Sequence, residues 1–378
     1  MKNRFLIFIL ALCSLVCVYT SNISTVYANE TIETIAKGMV VLEGNTNTVL
    51  YGNNQNTSLP MASTTKIMTA LICIENCSNL DEKIVVSDNS VGIEGTSIYL
   101  KHNEEIAIID LLYGLILASG NDCAMAIACH IADSEDAFVQ LMNNKVNELN
   151  LENTHFSNPH GLDEEGHYTS AYDLAIITSY AMKNETFRNI VSTKRHTIDS
   201  TNISDPRYLK HKNRLMFEDD NCIGVKTGFT DNAKRCLVSA YEYEGMMIIS
   251  VVLNCQPMFE ECDRLTQLVK ENYIMKQFVK PYSYVSSVDV ISSDKNQVGL
   301  ITIQGFEIPV LKRELDCYMV EYDLPDEVMA PVELNEPLGN VVVRYNNNII
   351  YSANLYSIEQ LENTDLKYQI DKIIQKWF

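Results

Sequence analysis

The sequence is short of positive charge. It has 29 lysines and arginines against 49 aspartates and glutamates, which gives a formal net charge of −20 and a pI near 4.7. A nucleic-acid-binding protein needs a basic face, so this balance argues against a nucleic-acid partner. An acidic surface mainly favours solubility. The sequence also lacks a glycine-rich phosphate-binding motif and an internal repeat, which disfavours nucleotide-binding and repeat proteins.

The sequence contains no Cys-x-x-Cys pair among its eleven cysteines. Cys13 and Cys17 fall within a predicted export signal, and the nine that remain are an odd number, which indicates neither a disulfide framework nor a zinc site. Cys73 and Cys77 are interpreted as small buried apolar residues of a helix. The histidines within 155–167 do not have the i, i+4 spacing of a helical zinc pair. We therefore expect no metal and no cofactor.

The first 28 residues have the pattern of an export signal. Lys2 and Arg4 form a basic start, residues 5–18 are mostly apolar, and residues 26–28 supply the cleavage position. The apolar run is too short for a confident membrane span. The sequence therefore predicts export and a mature chain that begins near Asn29.

Ser63 and Lys66 stand three residues apart at the start of a predicted helix that is apolar on nearly every side. Residues i and i+3 share one helix face, so Ser63 Oγ and Lys66 Nζ can meet. A serine hydroxyl is a weak nucleophile at neutral pH, and a partly desolvated lysine can act as its base. The spacing alone also fits a serine helix cap followed by a solvated lysine.

Two later motifs favour the catalytic interpretation. Ser119-Gly120-Asn121 separates two apolar runs, which predicts a tight loop between buried helices. Lys226-Thr227-Gly228 lies in a predicted strand, where Gly228 would allow a ligand to approach the backbone. Ser-x-x-Lys, Ser-Asp-Asn and Lys-Thr-Gly are together typical of penicillin-binding proteins and class A β-lactamases, and this chain departs from the set only at Gly120.

With these motifs the chain resembles the D-alanyl-D-alanine carboxypeptidases, the low-molecular-mass penicillin-binding proteins of the serine peptidase family. The resemblance covers roughly residues 35–280 and includes the segments Asn158–Leu162 and Gly166–Tyr168. The chain departs from the family pattern at Lys234, where a small residue is usual. The resemblance implies a role in peptidoglycan biosynthesis, cell-wall biogenesis and cell shape.

The resemblance implies an α/β fold with a β-lactamase/transpeptidase-like catalytic domain, which is an antiparallel sheet with helices packed on it and a helical cluster. A small all-β domain follows, because short β-prone runs separated by polar turns begin after Pro281. We predict an opening hairpin within 38–51 and a helical segment from 258 to 278. The predicted domains are a signal peptide at 1–28, the catalytic domain at 29–279, the β-rich domain at 280–357 and an amphipathic helix at 358–378.

The resemblance also implies a catalytic role for five residues. Ser63 would attack the carbonyl between the two terminal D-alanines of a peptidoglycan stem peptide and form an acyl-enzyme, while Lys66 takes its proton. Ser119 would relay a proton toward the leaving amine. Asn121 would orient Lys66 and the substrate amide, and Lys226 would supply positive potential.

A second set would bind the substrate: Thr227, Gly228, Phe229, Lys212 and Arg214. Thr227 would hydrogen bond the terminal carboxylate of the substrate, and Lys212 and Arg214 are candidates to pair with it. The backbone N–H groups of Ser63 and Phe229 would form the oxyanion hole. The expected partners are stem peptides and β-lactam antibiotics, the latter as acylating inhibitors.

Three alternatives share this scaffold. A class A β-lactamase uses a separate glutamate for deacylation, but the segment Glu148–Glu152 places Glu152 where the Glu-x-x-Leu-Asn pattern has asparagine. An endopeptidase that cuts cross-links and a non-catalytic wall-binding protein are the other two. Intact Ser63, Lys66 and Lys226 argue against the non-catalytic protein.

The C-terminal residues predict an amphipathic helix. One face carries Leu366, Ile370, Ile373, Ile374 and Trp377, and the lysines stay off this face. The helix is too short and too charged to span a bilayer. We expect an exported, extracytoplasmic protein held peripherally on the outer face of the cytoplasmic membrane by this helix. The alternative is a terminal helix docked on the β-rich domain.

Overall fold

The computed structural model describes residues 32–377. The predicted export signal therefore lies outside the described residues. The described chain divides into two compact units, 32–273 and 274–377. This division falls before the boundary at 279/280 that the sequence analysis placed there.

The first unit contains nine complete strands and seven helices among the described residues. The strands are β1 (Gly38–Glu43), β2 (Thr48–Asn53), β3 (Lys83–Val85), β4 (Glu105–Ala107), β5 (Arg195–Ile198), β6 (Arg207–Lys210), β7 (Cys222–Thr230), β8 (Lys234–Tyr243) and β9 (Met246–Leu253). The helices are α1 (Lys66–Asn76), α2 (Ile108–Tyr113), α3 (Asn121–Ala132), α4 (Glu135–Glu148), α5 (Ala171–Met182), α6 (Glu185–Ser192) and α7 (Met258–Asn272).

A five-stranded antiparallel sheet organises this unit, with strand order β2-β1-β9-β8-β7. The central strand β9 is buried along its whole length. Because side chains alternate across a strand, Ile249 and Val251 enter the main core with α1, α3 and α5. Ser250 points the other way and hydrogen bonds Thr266 on α7 over 3.1 Å. Helices therefore cover both faces of the sheet, and the fold class predicted from the sequence is confirmed.

Helix α1 lies in the main core. All its residues from Lys66 to Cys73 are buried, which matches a helix that is apolar on nearly every side. The predicted opening hairpin is present as β1 and β2. Helix α5 begins after Ser170, whose hydroxyl accepts a hydrogen bond from the backbone N–H of Asp173, as an N-cap does.

The second unit is built from strands. They are β10 (Tyr273–Val279), β11 (Tyr284–Ile291), β12 (Gln297–Thr302), β13 (Phe306–Leu311), β14 (Tyr318–Asp323), β15 (Glu327–Met329), β16 (Pro337–Tyr345) and β17 (Asn348–Ser357), followed by α8 (Leu366–Trp377). Six of them form a sheet with order β14-β16-β17-β12-β11-β15, and β10 pairs with β13. The predicted all-β domain is confirmed.

The prediction that the helix before this unit continues to residue 278 is wrong. Helix α7 ends at Asn272, and the following segment is β10. Its sequence, Tyr-Ile-Met-Lys-Gln-Phe-Val, is rich in aromatic and branched residues that favour strands, and β13 provides its partner. Helix α6 and six short or distant-pairing strands were not predicted from the sequence: β3, β4, β5, β6, β15 and β17.

Glu43 allows a test of how the first hairpin is held. Its buried carboxylate accepts hydrogen bonds from Thr46 N and Thr46 Oγ1, both at 2.8 Å, and from Met247 N at 3.0 Å. In Glu43→Gln an amide N–H would face these donors, so we expect the free energy of unfolding to fall by about 1–3 kcal/mol. Urea unfolding measures this, with Glu82→Gln at an exposed position as the control. Equal stability of the two variants would contradict the assignment.

Candidate active site

Ser63 lies in a 3₁₀ turn, Ala62–Thr65, that leads directly into α1. The residue before it, Ala62, has a left-handed backbone with φ of 51°, which is uncommon for a residue other than glycine and is found where surrounding structure holds the chain in place. The predicted contact between the two motif side chains is present, since Lys66 Nζ donates to Ser63 Oγ over 3.0 Å.

Lys66 is fully buried and makes two further hydrogen bonds. Its Nζ donates to Asn121 Oδ1 over 2.7 Å and to the backbone carbonyl oxygen of His160. Burial, together with the charge of Lys212, lowers the pKa of Lys66 to about 7. The amine is therefore partly uncharged near neutral pH, as a general base must be.

The motif Ser119-Gly120-Asn121 is hydrogen-bonded to the motif Lys226-Thr227-Gly228. Ser119 follows one π-helical turn, Gly114–Ala118, and adopts a left-handed backbone with φ of 65° immediately before α3. Lys226 on β7 donates from Nζ to Ser119 Oγ and to the carbonyl of Thr227, each over 2.9 Å. Burial, with the charges of Lys66 and Lys212, lowers the pKa of Lys226 well below its usual value. The three motifs therefore form one hydrogen-bonded site.

The residues after Lys226 continue along β7 beside the nucleophile. At Gly228 an added Cβ would lie 3.0 Å from Met61 O and 3.2 Å from Ser63 N, so a side chain here would press on the backbone that carries Ser63. The ring of Phe229 is 56 % exposed and faces the guanidinium of Arg235 at 5.5 Å. Thr227, Gly228 and Phe229 thus lie on β7, which passes beside the backbone of Ser63.

Lys212 and Arg214, the two basic residues predicted to pair with the substrate carboxylate, have different surroundings. Lys212 Nζ lies 3.5 Å from Thr96 Oγ1, and its charge lowers the pKa of both Lys66 and Lys226, so it belongs to the same site. Arg214 is brought instead to two carboxylates, Glu218 at 3.0 Å and Glu260 at 2.7 Å. Its charge is already paired there, which argues against the suggestion that Arg214 binds the substrate.

The segment 155–168 contributes groups to the site in addition to the three motifs. His167 Nδ1 accepts from Ser157 N over 3.0 Å, which leaves the proton on Nε2 for its 2.8 Å bond to Thr65 Oγ1. Burial lowers the pKa of His167 to about 4 and that of His160 to about 3. Both rings are neutral near pH 7. The ring of His167 supports the turn at Ser63 through Thr65, and the ring of His160 accepts from Leu162 N over 3.2 Å.

The segment 155–168 is also hydrogen-bonded to the end of β7 and the turn after it. Asp163 accepts hydrogen bonds from Thr230 Oγ1 over 2.7 Å and from Asn232 N over 3.2 Å. The carbonyl that receives Lys66 Nζ belongs to His160 in the same segment. Any residue type has a backbone carbonyl, so the identity of residue 160 does not predict this contact. The only signal in the sequence is that the segment Asn158–Leu162 resembles the family. Within residues 32–377 no group of three or more His, Cys, Asp or Glu residues is arranged to hold a metal ion.

Family models match most of the chain. Residues 24–257 match the D-alanyl-D-alanine carboxypeptidase family, and residues 273–363 match the C-terminal domain of penicillin-binding protein 5. The two matches correspond to the two units of the described structure.

Individual relatives agree with these matches. The chain is 31% identical over 350 residues to the D-alanyl-D-alanine carboxypeptidase DacF of Bacillus subtilis, covering 90% of each chain. It is 28% identical to DacD of Escherichia coli, covering 85% of this chain and 88% of the relative. Among solved structures, penicillin-binding protein 5 of Haemophilus influenzae matches with a TM-score of 0.72 and 27% identity, covering 88% of this chain and 99% of the other.

The lowered pKa of Lys66 predicts how acylation depends on pH. Only the uncharged amine can accept a proton, so we expect labelling of Ser63 by a fluorescent penicillin to accelerate as pH rises through about 7. In Lys212→Met a positive charge that disfavours protonated Lys66 is lost. The pKa of Lys66 then rises, and the acidic limb of the labelling rate should move to higher pH.

Lys210→Met is the matched control, because Lys210 is exposed and its ammonium lies over the ring of Phe217 at 4.8 Å. The control should keep the wild-type acidic limb. An acidic limb in Lys212→Met that coincides with the control would contradict the coupling between Lys212 and Lys66.

Proposed function

Because the chain belongs to the D-alanyl-D-alanine carboxypeptidase family of serine peptidases, we propose that Ser63 is its nucleophile and Lys66 the general base. The chain is a D-alanyl-D-alanine carboxypeptidase of the penicillin-binding type, and its family consists of extracytoplasmic cell-wall enzymes. The observation that carries the assignment of roles is the buried contact of Lys66 Nζ with both Ser63 Oγ and Asn121 Oδ1.

In the acylation step Ser63 Oγ bonds to the carbonyl carbon between the two terminal D-alanines, and its proton passes to the uncharged amine of Lys66. The 3.0 Å contact is within proton-transfer reach. Negative charge develops on the carbonyl oxygen, and the backbone N–H groups of Ser63 and Phe229 would stabilise it. The close approach of Gly228 to the Ser63 backbone supports this pairing of donors.

Departure of the terminal D-alanine requires a proton on its amine. Ser119 Oγ is our candidate to relay to this amine the proton that Lys66 took from Ser63, because Lys226 Nζ holds this hydroxyl at 2.9 Å in the same site. The relay leaves Ser119 protonated and Lys66 uncharged again. The acyl-enzyme that remains is an ester of Ser63. Water then hydrolyses it, with Lys66 as the base within reach, which regenerates the serine.

The substrate carboxylate would be attracted by charge. Lys212 and Lys226 lie beside Lys66 in a protein with a formal net charge of −20. The positive charge that these two side chains carry when protonated would attract a carboxylate to the site. Thr227 would hydrogen bond the carboxylate, and Lys212 would pair with it. Arg214, whose charge Glu218 and Glu260 already neutralise, is left out of this role.

The segment Glu148–Glu152 gives little support to a β-lactamase. Glu148 Oε2 pairs with Lys145 Nζ at 2.7 Å, and its side chain is more than half exposed. A carboxylate engaged in this way is not placed as a buried base for rapid deacylation. A slowly hydrolysed penicillin adduct is therefore expected.

Ser63→Ala should abolish both covalent labelling by fluorescent penicillin and release of D-alanine from a stem pentapeptide, because the oxygen that forms the ester is gone. Ser58→Ala, at an exposed position five residues upstream, is the control and should keep both activities. A Ser63→Ala protein that still labels would refute the nucleophile. An assay with a cross-linked dimer beside the pentapeptide separates carboxypeptidase from endopeptidase activity.

We further propose that the mature chain begins after residue 28, that it acts outside the cytoplasm and that α8 holds it on the outer face of the cytoplasmic membrane. The apolar face of α8 is open, with Leu366 75 %, Ile370 48 %, Ile373 56 % and Ile374 50 % exposed. A helix docked on its own domain would cover these side chains. Lysines 367 and 372 suit anionic head groups.

The described residues include no helix with the length and apolar character needed to cross a bilayer. Binding would therefore be interfacial, with the apolar face inserted among head groups and acyl chains. The all-β unit lies between the catalytic unit and α8 in chain order, and we propose that it serves as a spacer.

A mature chain cut after Asn363 should stay folded and label with penicillin but lose sedimentation with anionic liposomes, because the apolar face of α8 is removed. The double variant Ile370→Gln and Ile373→Gln, which keeps the helix, should lose binding as well. If the full-length mature chain does not sediment with liposomes, or if the cut chain unfolds, the docked-helix alternative is favoured instead.

A further inference from the structure

Asp122 is a buried carboxylate that none of the three motifs includes. It follows Asn121 in the first turn of α3 and is 1 % exposed. Its oxygens accept hydrogen bonds from Ser97 Oγ at 2.5 Å, Ile98 N at 3.1 Å and Leu100 N at 3.0 Å. A buried carboxylate is stable only when its acceptors are filled in this way. Asp122 therefore ties the segment 97–100 to the start of α3.

The residues just before this tie orient Asn121. Glu94 O accepts from Asn121 Nδ2 over 2.6 Å, and Thr96 O accepts from Asn121 N over 2.7 Å. Because the amide nitrogen is engaged by Glu94, the amide oxygen is the end that faces Lys66 Nζ. Gly95, with φ of +89°, comes so close that an added Cβ would lie 2.8 Å from Asn121 Nδ2. The segment 94–100 is thus wrapped around Asn121.

We propose that Asp122 is a positioning residue for acylation: its carboxylate holds the segment 94–100 so that Asn121 presents its amide oxygen, and not its amide nitrogen, to the amine of Lys66. A reversed amide would place N–H donors against an amine that must keep its lone pair for the Ser63 proton. This inference rests on the roles proposed above for Ser63, Lys66 and Asn121.

The same carboxylate acts on Lys66 through its charge. Lys66 is surrounded by Cys123 and Asp122 on α3, Lys212 before the turn Arg214–Phe217, Lys226 on β7 and the neutral ring of His160. Burial raises the pKa of the Cys123 thiol well above its usual range, so this group is uncharged near neutral pH. Asp122 is the carboxylate in this group, and its charge raises the pKa of Lys66 against the lowering by burial and Lys212.

Two effects are therefore expected in Asp122→Asn. The amide nitrogen would replace Oδ1 and face the N–H groups of Ile98 and Cys123, which donate to that oxygen over 3.2 and 2.9 Å. Segment 94–100 and Asn121 are then displaced, and the plateau rate of penicillin acylation should fall by about 10-fold to 100-fold. Loss of the negative charge lowers the pKa of Lys66, so the acidic limb of the rate should move to lower pH. A role in folding alone would leave the acidic limb in place.

Asp173→Asn is the matched control. Asp173 is also in the first turn of a helix, is 2 % exposed, and accepts from Asn153 N and Thr154 Oγ1 at 2.8 Å each. It should lower the thermal midpoint of unfolding while the acylation rate per folded molecule and the acidic limb stay as in the wild type. Equal rate losses in the two variants with an unmoved acidic limb, or wild-type acylation in Asp122→Asn, would overturn the proposal.

Gly95→Ala is a second test that keeps the charge. Its methyl group would displace Asn121 Nδ2, so acylation should slow without the shift of the acidic limb that Asp122→Asn produces. If Asp122→Asn does not fold, a wild-type acylation rate in Gly95→Ala overturns the proposal by itself. Failure of the underlying roles is seen separately, because Ser63→Ala would then still label.

Discussion

The active site depends on keeping the amine of Lys66 uncharged inside the protein. Removing an ammonium group from water is unfavourable, and burial lowers the pKa of Lys66 to about 7. The same burial acts on Lys226, and the charge of each lysine disfavours the charge of its neighbours. Desolvation therefore leaves part of the Lys66 amine uncharged near neutral pH, 3.0 Å from Ser63 Oγ, where it could accept the serine proton in the mechanism we propose.

Much of the first unit can be understood as support for this buried amine. Helix α1 is enclosed by the core from Lys66 to Cys73, so its first residue cannot turn to solvent. Oxygen atoms from two other segments, Asn121 Oδ1 and His160 O, receive its N–H groups. The left-handed backbones at Ala62 and Ser119 show that the chain accepts strained conformations to aim both serines.

The site differs from the rest of the molecule in the charged residues that it contains. Most of the molecule is acidic, yet Lys66, Lys212 and Lys226 share one site. In the function we propose, Lys212 and Lys226 would attract a terminal carboxylate when they are protonated, and the acidic surface limits non-specific binding of other anions. Arg214 shows that a positive charge near the site in sequence does not by itself identify a substrate-binding residue, because Glu218 and Glu260 already pair with it.

The sequence by itself determined the chemistry of the site. Ser63 and Lys66 are three residues apart, so local helical geometry was enough to predict their contact. The three motifs with their flanking segments identified the family, and alternating or continuous apolar runs located the hairpin, the core helices and most strands of the all-β unit. Each of these predictions depends only on residues that are close together in the sequence.

Only the tertiary structure decided which distant groups complete the site. The carbonyl of His160 and the ties from Asp122 and Asp163 depend on backbone positions brought together across long stretches of chain, and no residue type marks them in advance. The change from α7 to β10 at Tyr273 depends on pairing with β13, since local propensity yields to tertiary partners. The sequence also could not decide whether Lys212 or Arg214 lies close to Lys66 and Lys226. Both are basic and only two positions apart, and only the fold shows which groups surround each of them.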